Sequence, residues 1–163
     1  MALVTEPDRP NKPKALLVED EFLVAIATQE LLRSLGFEVI GPARGVDEAR
    51  WLIDAHPDLL ITVLDIHLAG EKVWPVAREL LDRGVPVLFV TGDTAIQNEL
   101  PSDLRNTKVL IKPFDESRLK ETIKGILGER SIKDILDARG KGQRKDWSAA
   151  LGPMAWMAFS LCL

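Results

Sequence analysis

The chain has 163 residues, a formal net charge of −4 and one cysteine. This length suits one domain with a sizeable hydrophobic core, and the charge gives no reason to expect a nucleic-acid surface. The single cysteine, Cys162, excludes an internal disulfide framework and is typical of a protein in a reducing compartment.

The first part of the chain alternates short apolar runs with helical patterns. The helices are expected to end at Gly36 and before Pro57, and Gly41-Pro42 is expected to stop the second strand. The predicted strands are Ala15–Val18 and Phe37–Ile40, and the predicted helices are Phe22–Leu35 and Val46–Ala55.

The stretch from Leu59 to Gly70, LLITVLDIHLAG, runs six apolar or near-apolar residues into an acid, Asp65, and then breaks at Gly70. A short continuous run of Leu, Ile, Val and Thr predicts a strand buried on both faces, which is typical of parallel sheets covered by helices. In such sheets, ligands bind outside the carboxyl ends of the strands. Asp65 stands at this end, so it is the first candidate for a functional residue.

The second part of the chain continues the alternation. The segment Asp93–Thr107 has little apolar content and contains Pro101, so it predicts at best a short helix around Ala95–Leu100. The predicted helices are Glu71–Asp82 and Ser117–Leu127, and the predicted strands are Val85–Val90 and Lys108–Ile111. Five strands alternating with helices indicate an α/β fold, a parallel sheet with helices on both faces. The flavodoxin-like strand order 2-1-3-4-5 is the natural solution for five strands.

Polar residues follow four of these strands on the same side of the predicted sheet. They are Glu19 and Asp20 after the first strand, Asp65 after the third, Thr91 after the fourth and Lys112 after the fifth. Three carboxylates close together repel one another, so at least one should hold its proton unless a cation is present. Mg²⁺ prefers oxygen ligands, and Asp20 and Asp65 are the expected direct ligands, with Glu19 acting through water. Lys112 and Thr91 are placed to hold oxygens of a phosphoryl group on Asp65.

Each of these residues taken alone has a simpler interpretation. Asp65, Glu19 or Asp20 could be a helix cap, Thr91 a strand-end hydroxyl, and Lys112 a solvated side chain. Their occurrence together favours the functional interpretation. His67 could touch an attacking water, but an exposed loop side chain is the commoner case. His56 is expected to end a helix.

These motifs resemble those of the receiver domains of two-component response regulators, over residues 14–127. The matching stretches are LLVEDE, VLDIHLAG, VTG and IKPF. The resemblance implies that Asp65 accepts a phosphoryl group from a histidine kinase or histidine phosphotransfer protein. It also implies that Glu19, Asp20, Asp65 and the backbone carbonyl of His67 hold Mg²⁺, that Thr91 is the switch hydroxyl and that Lys112 is the lysine typical of the family. The bond between Lys112 and Pro113 is expected to be cis.

Two features depart from the common receiver pattern. Val109 stands where the common kind carries an aromatic switch residue, and Pro101 interrupts the fourth helix. With LFVTG at the fourth strand, the chain is similar to the single-domain receivers of alphaproteobacteria called the FAT GUY family, although Asp93 or Thr94 replaces their usual aromatic. We expect the signal to be read as ordering of Asp93–Thr107 around the phosphoryl group.

The two ends of the chain differ in composition from the domain. Residues 1–13 contain three prolines and no long apolar core, which predicts a disordered leader rather than a signal peptide. Residues 128–146 predict a charged linker or helix extension. Residues 147–163 have no charged side chain and are interrupted by Gly152-Pro153, so a membrane anchor is less expected than docking on the receiver or on a second copy in a homodimer. An extension that docks nowhere is a further alternative.

The given residues after the predicted receiver show no helix-turn-helix, recognition-helix or basic-stripe pattern, so protein contacts are the expected output. The leading hypothesis is a stand-alone cytoplasmic phosphoprotein that is not an enzyme, acting as a messenger to an unknown downstream protein or as a phosphate sink. A receiver-fold module that is not phosphorylated is the alternative. A metal-dependent phosphatase is less favoured, because such enzymes usually carry a second acid where this chain has His67.

Overall fold

A computed structural model of the chain describes residues 12–128. The strands are β1 (Lys14–Val18), β2 (Glu38–Ala43), β3 (Leu59–Asp65), β4 (His67–Leu68), β5 (Glu71–Lys72), β6 (Val87–Thr91) and β7 (Lys108–Ile111). Five of them form one sheet in the order β2-β1-β3-β6-β7, and all of its pairs are parallel. The predicted order 2-1-3-4-5 is confirmed.

Helices cover both faces of this sheet. They are α1 (Phe22–Ser34), α2 (Val46–Ala55), α3 (Trp74–Asp82) and α4 (Glu116–Leu127). Buried residues of α2 and α3 share one apolar cluster, and those of α1 and α4 share another. The central strand β3 contributes to both clusters, with Leu64 on one side and Val63 on the other. The expectation that this strand is buried on both faces is therefore correct.

The second strand does not stop at Gly41-Pro42, contrary to the prediction. It runs on to Ala43, whose carbonyl accepts a hydrogen bond from the backbone N–H of Glu19. Because β2 is at the edge of the sheet, a residue without an N–H can be accommodated there. Gly41 has φ +97°, and a Cβ at this position would lie 2.6 Å from the carbonyl oxygen of Leu17.

The third helix begins later than predicted. Glu71 and Lys72 do not belong to it but pair with His67 and Leu68 in a short antiparallel hairpin. The two turn residues, Ala69 and Gly70, have φ values of 49° and 84°, as two-residue hairpin turns of the I′ type require. The helix then starts beside Pro75, which is favoured in the first turn.

The segment between β6 and β7 forms two short 3₁₀ turns, Ile96–Asn98 and Ser102–Leu104, where a short helix around residues 95–100 was expected. Pro101 separates the two turns, since proline cannot continue a helical hydrogen-bond pattern from within. Three apolar side chains of this segment are buried in the cluster shared by α2 and α3: Ile96, Leu100 and Leu104. The segment is therefore packed on the core through a few anchors.

The other element limits agree with the predictions within two residues. His56 ends α2 as expected, and the Lys112–Pro113 peptide bond is cis as expected. No helix within residues 12–128 has the length and hydropathy needed to cross a membrane. The predictions for the leader up to residue 11, for the charged stretch after Gly128 and for the apolar residues 147–163 lie outside the described residues.

Candidate functional site

The carboxyl ends of the strands bring the predicted acids together. Glu19 and Asp20 follow β1, and Asp65 is the last residue of the neighbouring β3. One carboxylate oxygen from each of the three lies within 4.8 Å of the others. Glu19 and Asp65 are almost completely buried, whereas Asp20 is partly exposed. The predicted cluster is therefore present, with one member at its open side.

Lys112 joins two of the acids. Its Nζ donates to Oε2 of Glu19 over 2.6 Å and to Oδ2 of Asp65 over 2.8 Å. Its backbone N–H donates to the carbonyl oxygen of Thr91, which extends the pairing of β6 with β7 beyond the last strand residue. The Lys112 side chain is only 17% exposed, so this cation is held inside the site rather than solvated at the surface.

Burial controls the protonation of this cluster. It raises the pKa of Glu19 to about 7, and the negative charge of Asp65 adds to the effect, while hydrogen bonds from Lys112 and Glu21 oppose it. Burial alone would lower the pKa of Lys112, but the hydrogen bonds to Asp65 and Glu19 raise it above its ordinary value. The pKa of Glu19 is therefore raised more by burial than by the repulsion between the acids on which the prediction rested.

The loop after β3 orients two of the carboxylates. The backbone N–H of His67 donates to Oδ1 of Asp65, and that of Ala69 donates to Oδ2 of Asp20, each over 3.0 Å. The His67 side chain is exposed, as its simpler interpretation predicted. Its Nε2 lies 2.6 Å from Nζ of Lys72, which also donates to Oε2 of Glu99 over 3.0 Å.

Lys72 and Glu99 are therefore site-edge residues that the sequence analysis missed. The prediction placed Lys72 in a helix, where it would not face His67 across a hairpin. The missed signal was the Ala69-Gly70 dipeptide, two residues that can form a tight turn between short strands.

Thr91 lies at the end of β6, where its hydroxyl faces the following loop. The residue is buried, and its Oγ1 accepts a hydrogen bond from the backbone N–H of Asp93 over 3.1 Å. Oδ1 of Asp93 in turn accepts from the N–H of Ala95. This arrangement leaves the Thr91 hydrogen available to donate, and it connects the hydroxyl to the start of the segment 93–107.

The donor set fits a hard divalent cation. Three carboxylates offer oxygens within one small volume, and one lysine ammonium cannot neutralise all three. Mg²⁺ binds through one or two carboxylates and retains several waters, so it needs no further protein ligands than those found here. The partly exposed Asp20 lies on the side from which a hydrated ion would enter.

Comparisons with known proteins agree with this geometry. The solution structure of SdrG from Sphingomonas melonis Fr1 is 30% identical, with a TM-score of 0.63, and the match covers 71% of this chain and 97% of SdrG. The receiver (REC) domain of the response regulator PhyR from Erythrobacter litoralis is 29% identical, with a TM-score of 0.62, over 72% of this chain and 91% of that domain.

The chain belongs to the response regulator receiver family. No family model matches it. Among curated proteins, the sensory transduction protein LytT of Bacillus subtilis is 32% identical over 114 residues, which are 68% of this chain and 46% of LytT. The chain spans about half the length of the curated relatives it matches. Members of the receiver family act in two-component signalling, and this chain has the five-stranded receiver fold.

Proposed function

We propose that this receiver accepts a phosphoryl group on Asp65 from a histidine kinase or a histidine phosphotransfer protein in a Mg²⁺-dependent reaction. The observation that carries the proposal is the position of the Asp65 carboxylate. It lies beside the Lys112 ammonium and within 4.8 Å of the carboxylate oxygens of Glu19 and Asp20. A nucleophilic carboxylate with a cation on one side and a cation-binding acid cluster on the other suits phosphoryl transfer, which requires mainly alignment and charge stabilisation.

In the proposed reaction, an Asp65 oxygen forms a bond to phosphorus. The bond between phosphorus and the nitrogen of the donor histidine breaks, and the electron pair stays on that nitrogen. Lys112 keeps its ammonium close to Asp65 and can donate to one phosphoryl oxygen, and the Thr91 hydroxyl can donate to another. The His67 N–H already donates to Oδ1 of Asp65, which fixes the plane of the carboxylate for attack.

We assign the metal site to Asp20 and Asp65 as direct ligands, Glu19 through water, and the backbone carbonyl of His67. Bound Mg²⁺ would neutralise charge on the phosphoryl oxygens. The receiver domain of PA1611 from Pseudomonas aeruginosa, which is 21% identical with a TM-score of 0.58 and shares the fold alone, has a magnesium ion in its active-site cleft. This supports the assignment by analogy.

We further propose that the protein acts in the cytoplasm without catalytic activity on other substrates. It would either pass the signal to a downstream protein by contact or serve as a phosphate sink for its kinase. The segment 93–107 would read the signal, because the backbone N–H of its first residue, Asp93, donates a hydrogen bond to the Thr91 hydroxyl.

The test is intact-mass spectrometry of the full chain after incubation with acetyl phosphate and MgCl₂. We expect the mass to rise by one phosphoryl group in the native chain and not in Asp65→Asn. Asp47→Asn, an exposed acid of α2, is the matched control and should be modified like the native chain. An unmodified native chain would favour the alternative, a receiver-fold binding module that is not phosphorylated. Modification that persists in Asp65→Asn would contradict the assigned acceptor.

A further inference from the structure

The first two turns of α1 expose four apolar side chains, which we call the α1 patch. Phe22 is 59% exposed, Leu23 78% and Ile26 43%, and Ala27 is also exposed. These positions share the outer side of the helix, since residues three and four apart are neighbours on a helix surface. The charged pair of Glu30 and Arg33 begins only beyond them. A contiguous apolar area of this kind marks a docking site more often than scattered single residues do.

The other exposed aromatic residue, Trp51 on α2, has different surroundings. It is 69% exposed, and except for the small Ala55 the exposed positions around it on α2 are charged: Asp47, Glu48, Arg50 and Asp54. It lies on the opposite face of the sheet from α1, because the two helices belong to different core clusters. A single apolar side chain among charges needs no partner.

We propose that the apolar segment 147–163 of this same chain docks on the α1 patch. The described residues end just after α4, which packs on the same face of the sheet as α1. The segment has no charged side chain and includes Trp147, Trp156 and Phe159. An uncharged occupant meets no repulsion beside the acidic residues Glu19, Asp20 and Glu21, which directly precede the patch.

The intervening chain is long enough for this contact. α1 has 13 residues and is about 20 Å long. The charged stretch 129–146 spans roughly 27 Å as a continuous helix and roughly 60 Å when extended. The end of α1 and the start of α4 are joined by the hydrogen bond from Ser34 to Glu116, and the two helices together are about 38 Å long. The extended length therefore carries the segment from the end of α4 to the start of α1. Because the segment is covalently attached, its effective concentration at the patch is on the order of millimolar, so even a weak contact is populated.

The docking does not rest on the proposed function, because a chain that accepted no phosphoryl group could still bind its own apolar segment.

The single cysteine of the chain, Cys162, allows a direct test. A nitroxide attached to it broadens the amide signals of nearby residues in the ¹⁵N-labelled full chain. We expect a severalfold loss of peak intensity at Phe22–Ala27 and little loss on α2. In Leu23→Ser, the lost intensity should return. In Trp51→Ser, the matched control with a comparably exposed side chain, the loss should remain. Both replacements are on the surface, so the fold is retained.

Three outcomes would overturn the proposal. One is broadening that is absent from the α1 patch or that is concentrated on α2. Another is broadening of the patch that survives Leu23→Ser. The third comes from a mixture of ¹⁵N-labelled chain without nitroxide and unlabelled chain with nitroxide. In that mixture only contacts between chains can broaden the patch, so loss of intensity there would assign the contact to a second copy.

Discussion

At the scale of single residues, the acidic site brings buried carboxylates together, and the ammonium group of one lysine reduces the repulsion between them. Glu19 and Asp65 are buried next to each other, and Lys112 donates to both. Removing one partner of a buried ion pair leaves an uncompensated charge and is strongly destabilising. Burial raises the pKa of Glu19, and groups with strongly shifted pKa values are common at functional sites.

A second buried residue, Thr62, allows the energetic cost of a buried hydroxyl without a hydrogen-bond partner to be measured. Thr62 lies inside β3, and within the described residues its hydroxyl is the buried side-chain group that has no hydrogen-bond partner. Because an unsatisfied buried hydroxyl carries its desolvation penalty, Thr62→Val should raise the free energy of unfolding by about 1 kcal/mol. Urea denaturation followed by circular dichroism would measure the change.

The control for this prediction is Thr122→Val on α4. There the hydroxyl donates to the carbonyl oxygen of Arg118 over 2.7 Å, so the replacement gains nothing from removing an unsatisfied group. A Thr62→Val chain that is no more stable than the native one would mean that its hydroxyl is satisfied in solution.

At the scale of elements, two glycines should respond to alanine in opposite directions. Gly41→Ala puts a Cβ against the Leu17 carbonyl at 2.6 Å with φ +97°, so it should cost at least about 1 kcal/mol of unfolding free energy. Gly125 lies within α4 with open space around its Cβ position, so Gly125→Ala should stabilise by about 0.5–1 kcal/mol. Thermal unfolding of both variants would check the signs, and equal effects would contradict the role given to Gly41 in β2.

The segment 93–107 is the element expected to report phosphorylation. The backbone N–H of its first residue, Asp93, donates a hydrogen bond to the Thr91 hydroxyl, and the side chains of Ile96, Leu100 and Leu104 pack it on the core. On addition of beryllofluoride and Mg²⁺, a phosphoryl mimic, we expect slower amide hydrogen exchange across the segment. Mass spectrometry of the exchanged peptides measures this, and α2 serves as the reference element. Unchanged exchange across residues 93–107 would rule out the ordering hypothesis.

The same segment is also joined to α3 and the hairpin by ion pairs. Arg78 makes two hydrogen bonds with the Asp103 carboxylate, which lower the pKa of Asp103, and Lys72 pairs with Glu99. All four side chains are largely exposed, so these pairs add little stability and are weakened by salt. The apolar anchors therefore contribute more than the ion pairs to holding the segment in place.

At the scale of the whole molecule, binding at the site should be coupled to unfolding. The acids come from separate strands, so the site exists only in the folded chain, and Mg²⁺ should stabilise that state. At ten times its dissociation constant, the ion would add about 1.4 kcal/mol, or a few degrees in Tm. Scanning calorimetry with MgCl₂ against NaCl at matched ionic strength would measure the shift.

Asp20→Asn should lose most of this Mg²⁺-dependent shift. Asp20 is the acid that Lys112 does not contact, and its bond from the Ala69 N–H can be kept by an asparagine oxygen. The variant should therefore fold normally. A full Mg²⁺ shift in Asp20→Asn would remove this residue from the metal site.

Much of the architecture could be read from the order of the residues alone. Apolar runs such as Leu59–Asp65 and helical patterns such as Val46–Ala55 are local signals, and their alternation restricts the sheet to very few strand orders. The candidate site followed, because residues at the carboxyl ends of neighbouring parallel strands must meet. Glu19, Asp20, Asp65 and Lys112 could be grouped for this reason, and Thr91 could be placed next to them.

The tertiary structure decided what depends on neighbours distant in sequence. Gly41-Pro42 extends a strand instead of ending it because β2 is at an edge, which no local pattern reveals. Lys72 reaches His67 and Glu99 because a hairpin replaces the first turn of the expected helix. The weakly apolar segment 93–107 packs through three anchors because they join the same apolar cluster as buried residues of α3 and β6. Local preference chose the elements, and the free energy of burying them against one another chose these details.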